Sequence, residues 1–147
     1  MCYYNVGDIM RTFYIFRIKK EMSIITHDSP YNLFKTIEDL YYLDNINLGL
    51  SYRLYESIFD SFDIEEVESR VKNTFYDNNY YFKENNKHVI YNKYKPENSS
   101  LLINRTHLLL KSDVIKPTLL VNYTKEDNIF VCDFKNIDYF WLNEIVI

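Results

Sequence analysis

The chain has 147 residues, 47% of them hydrophobic and 18% aromatic. That is about one domain's length, long enough to bury roughly 70% of the surface its unfolded chain exposes and too apolar for disorder. A net charge of −4 without a dense cluster of Lys and Arg argues against direct nucleic-acid binding, which needs basic residues facing phosphates, and against a basic membrane-surface segment.

No run approaches the roughly 18 apolar residues of a membrane span. The first residues lack the basic region and apolar core of a signal peptide. The expectation is therefore a cytoplasmic protein, with Cys2 and Cys132 as reduced thiols. Fifteen Tyr and ten Phe imply rings that lie half-buried with their hydroxyls wet or bonded, some of them free to meet a partner.

Residues 1–10 carry no periodicity and read as a flexible N-terminal extension, with Met10 as an alternative start. Residues 12–18 (Thr-Phe-Tyr-Ile-Phe-Arg-Ile) are β-branched and aromatic on both faces, which predicts a strand central in a sheet. Residues 19–28 read as a polar–apolar connection carrying Met22, Ile24 and Ile25. Ser29-Pro30 predicts a helix start, and Leu33, Phe34, Ile37, Leu40 and Tyr41 follow at helical spacing toward an end near Asp44 and Asn45. A second helix after Gly49 should carry Leu54, Ile58, Phe59 and Phe62 on one face. Asp63 with Glu66 resembles a capping box opening a third helix striped by Ile64, Val67, Val71 and Phe75.

Residues 77–87 read as Asn-rich punctuation. Strands are expected at 88–94 and 101–110, joined into a hairpin through Pro96-Glu97-Asn98-Ser99. Residues 117–126 fit a short helix opened by Pro117 or a strand equally. Residues 129–134 form a strand, and Trp141-Leu142 closes the fold. The fold class that follows is α/β (α+β): a single domain over 11–147, with a mixed, mainly antiparallel β-sheet and packed helices.

No catalytic set is visible. His27, His88 and His107 sit at no metal-ligand spacing, and no cofactor is implied. His27-Asp28-Ser29 are neighbours on the chain, so they point apart and make no triad. Two glycines, Gly7 and Gly49, are too few for a phosphate-cradling loop. Asp133 and Asp138 lie at a strand end, where turn formation is the commoner role of Asp. Met22, Ile24 and Ile25 either form an exposed partner patch or fold back onto the core.

The two ends of the chain resemble the sporulation inhibitor of replication protein SirA family. The first block is Thr12-Phe13-Tyr14-Ile15-Phe16-Arg17-Ile18-Lys19-Lys20-Glu21, followed by Leu33-Phe34 near a helix start. The second is Asp133-Phe134, Tyr139 and Trp141-Leu142-Asn143. The match spans roughly forty residues at the ends, with only a coarse helix-then-strand plan shared between about 43 and 128. Phe140 and Glu144 depart from the pattern. The resemblance implies a non-enzymatic inhibitor of replication initiation that binds the N-terminal domain of the initiator DnaA during sporulation. Its contact surface would lie after the first strand and on the following helices, and would include Met22, Thr26 and Arg53. Two readings compete with it: another interaction module, of phage or mobile-element type, with a different partner, and a small enzyme built on Asp133, Asp138 and a histidine.

Overall fold

The computed structural model describes residues 10–43, 48–123 and 125–144. Its axis is β1 (Arg11–Ile18), which lies inside an eight-stranded sheet, as a segment apolar on both faces must. One edge of β1 pairs with β6 (Leu108–Ser112), from Arg11↔Ser112 to Ile15↔Leu108. The other edge pairs with β7 (Ile129–Asp133), from Tyr14↔Cys132 to Arg17↔Ile129. Outward from β6 lie β5 (Glu97–Ile103), β4 (Lys87–Asn92) and β3 (Tyr81–Glu84); outward from β7 lies β8 (Asp138–Trp141). The short β2 (Phe59–Asp60) pairs with β1 at Arg17 and Ile18, continuing the edge where β6 stops. All these pairings are antiparallel, so the expected α/β fold of mainly antiparallel sheet with packed helices is formed, and among the described residues the sheet holds no parallel pair.

Alternate residues of a strand face opposite sides, and β1 therefore feeds two cores. Phe13 and Ile15 join a cluster with Ile90, Leu101, Leu110 and Val131 beneath α4 (Ile64–Phe75). Phe16 and Ile18 join Phe130, Cys132 and Trp141 beneath α1 (Lys20–Thr26), α2 (Pro30–Leu43) and α3 (Leu48–Ile58). Helix α4 buries Val67, Val71 and Phe75, one turn apart on one face. Asp63 caps it, its Oδ1 accepting from Glu65 N at 3.1 Å and Glu66 N at 3.3 Å. Glu66 turns instead to Arg70. Helix α2 opens at Pro30 as expected, with Leu33 N donating to Ser29 O, and buries Leu33, Phe34 and Ile37.

Several expectations need correction. Residues 19–28, read as a connection, hold α1. Helix α3 ends at Ile58, and Phe59 enters β2 because the end of β1 has a free edge there. Leu54, Ile64 and Tyr41, all members of the apolar helical stripes, are exposed. The stretch 101–110 is two strands broken by a turn, with Asn104 N donating to His107 O. The β4–β5 turn lies before Glu97, so Glu97, Asn98 and Ser99 are strand residues. Tyr81-Phe82, read as punctuation, belong to β3, which returns through Asn85-Asn86; Asn85 has φ 56, a conformation Asn tolerates in tight hairpins. Pro117 precedes a 3-10 helix (Thr118–Tyr123). The proposed extension before Met10, Cys2, and the helix end at Asp44 and Asn45 lie outside the described residues.

Candidate functional site

The segment after β1 is positioned at both ends. At its start, Lys19 N donates to Ile58 O at 2.9 Å, which joins the beginning of α1 to the end of α3. At its far end, Trp141 Nε1 donates to His27 O at 3.2 Å, and the indole packs against His27 and Phe130. His27 also lies 3.3 Å from Glu144. Trp141 and Leu142 are thus structural: both are buried, Trp141 holding the helical segment against the sheet and Leu142 packing into the core beneath α4.

On α1 the apolar residues divide. Met22 is half-buried against the cluster beneath the helices. Thr26, one turn later, is half-buried and donates through Oγ1 to Met22 O at 2.7 Å. Ile24 and Ile25 face outward, 78% and 75% exposed. The patch therefore centres on Ile24 and Ile25, with Met22 at its base. Arg53 is exposed on α3 beside exposed Tyr52 and Leu54, and α2 adds exposed Tyr31, Tyr41 and Tyr42. Of these, Tyr41 occupies an apolar position in the helical pattern, whereas Tyr31 and Tyr42 fall outside it. Their hydroxyls were the available signal, since Tyr favours half-wet sites.

An aromatic ladder backs this face. Tyr139 stacks on Phe34 at 4.8 Å, Phe134 on Tyr41 at 5.0 Å, and Tyr14 lies 5.1 Å from Phe134. The Tyr14 hydroxyl sits 3.3 Å from that of Tyr41. Burial, then this contact, pushes the Tyr14 pKa up to about 12, so the phenol stays neutral.

The groups of the enzyme reading do not converge. Arg11 Nε lies 2.9 Å from Asp133 Oδ2, and Arg11 Nη2 lies 2.7 Å from Asp138 Oδ2. Asn136 donates to both oxygens of Asp133. Burial alone would raise the Asp133 pKa, but the bonds from Asn136 and Arg11 prevail and hold it below the usual aspartate value. This arrangement locks the β7–β8 hairpin to the start of β1. His88 is fully buried, with Nδ1 2.7 Å from the Tyr81 hydroxyl. Its Nε2 is 3.0 Å from Glu68 Oε1 but lies off the hydrogen-bonding direction. His107 touches the rings of Tyr14 and Phe16, and burial lowers its pKa. Burial likewise pushes the Cys132 thiol well up.

Beside α3 lies a cleft of about 670 Å³ bounded by Lys19, Tyr52, Tyr55, Glu56 and Arg105. Its charges are mixed, and no imidazole or thiol lines it. Among the described residues no group of three or more His, Cys, Asp or Glu is placed to hold a metal ion, and no helix is long and apolar enough to cross a membrane. No protein-family model matches the chain, and no curated protein matches it either.

Proposed function

We propose that this chain is a cytoplasmic, non-enzymatic inhibitor of the SirA kind, which binds the N-terminal domain of the replication initiator DnaA and withholds it from the origin. The observation that carries the reading is the pair of adjacent isoleucines, Ile24 and Ile25, outward on a seven-residue helix tied down at both ends. A short anchored helix presents apolar side chains without an ordering cost on binding, which favours association. Covering Ile24 and Ile25 fully is worth about 1.5–3 kcal/mol each. Met22 forms the floor of the contact, and Thr26 and Arg53 contribute its polar rim. The resemblance of the two terminal blocks supplies the identity of the partner.

The test is a calorimetric titration of the chain with the N-terminal domain of the cognate DnaA. A 1:1 complex is expected. Ile24→Asp or Ile25→Asp should weaken it by about tenfold or more, and Met22→Glu and Arg53→Glu should weaken it while the domain stays folded. Absence of binding at tens of micromolar removes the reading.

A further inference from the structure

The sheet is covered unevenly. Helices α1–α3 lie over β1, β7 and β8, and their cluster takes no residue from β3–β6. Among the described residues, no helix packs on that face of the β3–β6 arm. Register defines what the face displays. One row runs Phe82–Val89–Ser100–Lys111–Thr12, and the next runs Glu84–Lys87–Leu102–Leu109–Tyr14. Phe82 is 45% exposed and Tyr91, diagonal to it on β4, is 48% exposed. Diagonal neighbours lie roughly 7–8 Å apart, so the register puts two exposed rings on one face of adjacent strands.

The charge of the arm is opposite to that of the whole. Between Asn78 and Thr118 there are seven Lys and Arg against three Asp and Glu, a net +4; the remaining residues hold ten against eighteen, a net −8. Two of the three acids are occupied: Glu97 accepts from Ser99 and Thr118, and Asp113 accepts from Asn98 N. Lys87 and Lys111 are exposed on the open face, and Lys93 and Lys95 are exposed in the turn that follows Tyr91. The acidity of the full chain therefore says nothing about this face.

We propose that the open face of β3–β6 binds single-stranded DNA of thymine-rich sequence. Phe82 and Tyr91 stack the bases, and Lys87, Lys111, Lys93 and Lys95 meet the phosphates. Exposed rings on a sheet take unpaired bases, whose faces are hidden in a duplex. Between the rings and β1 the face is aliphatic at Val89, Leu102 and Leu109. That suits deoxyribose and the thymine methyl group, which uracil lacks. The surface is separate from the helical one and independent of the reading above.

Fluorescence anisotropy of a labelled oligothymidylate with the full chain tests this. Phe82→Ala and Tyr91→Ala should each weaken binding about tenfold, the usual scale of a lost base stack. Four phosphate contacts predict a slope of log affinity on log salt of about −2.8, falling by about 0.7 for Lys111→Ala. Ile24→Asp, on the other surface, should leave DNA binding unchanged, and thermal melting should show every variant folded. No binding at about 100 µM protein and low salt, equal affinity for duplex or for oligouridylate, or indifference to Phe82→Ala would each overturn the proposal. So would dimerisation that Phe82→Ala abolishes, which would make a second copy the occupant.

Discussion

At the scale of single residues, the sharpest contrast is between Met22 and its neighbours. Met22 contributes to the core beneath the helices, whereas Ile24 and Ile25 do not. Ile24→Asp and Ile25→Asp should therefore shift stability by less than about 0.5 kcal/mol, as exposed substitutions do. Met22→Ala should cost on the order of 1 kcal/mol, part of the 1.5–3 kcal/mol of a fully buried side chain; urea denaturation of the three variants checks this. Two titrating groups give a second expectation. Burial lowers the His107 pKa in the fold, so the unfolded chain binds that proton first. Its contribution is whole above about pH 6.5 and is lost as pH falls below that toward the folded value. Despite burial, the bonds from Asn136 and Arg11 lower the Asp133 pKa, so its contribution is whole above about pH 4 and lost as pH drops further. Denaturation at a series of pH values should show two stages, with His107→Leu removing the upper and Asp133→Asn the lower. The sequence identified Met22, Ile24 and Ile25 as a group. It did not divide them, because α1 has seven residues, too few for a helical period to emerge.

At the scale of elements, local signals served where an element carries its own start and stripe. Pro30 after Ser29, Asp63 before the Val67–Val71–Phe75 stripe, and the doubly apolar β1 were all readable. Asp63→Ala should cost about 1 kcal/mol through loss of two accepted backbone bonds, visible as a lower melting temperature. Elements set by a neighbour were not readable. Phe59 leaves the helix for β2 because Arg17 and Ile18 present an edge beyond the end of β6. The β7–β8 turn places Ile137 at φ 52 while it is 65% exposed, a left-handed conformation that burdens a β-branched residue. Ile137→Asn should raise stability by about 1 kcal/mol, measured by the same denaturation, since little packing is lost.

At the scale of the molecule, the two ends of the chain meet: β1 lies beside β7, and Trp141 holds the carbonyl at the end of the helical segment that β1 leads into. Trp141→Ala should cost about 3–5 kcal/mol, and a calorimetric melt should show it; the same change should loosen α1 and weaken any partner held by Ile24 and Ile25. Residue order along the chain was enough for the class of fold and the central place of β1, because periodicity and capping are local properties. Which isoleucines face outward, which tyrosines lie on the surface, and that an acidic chain carries a basic sheet arm with one face over which no described helix packs follow from strand register and layer coverage. Those depend on residues a hundred positions apart meeting in space, and no window of sequence contains both partners.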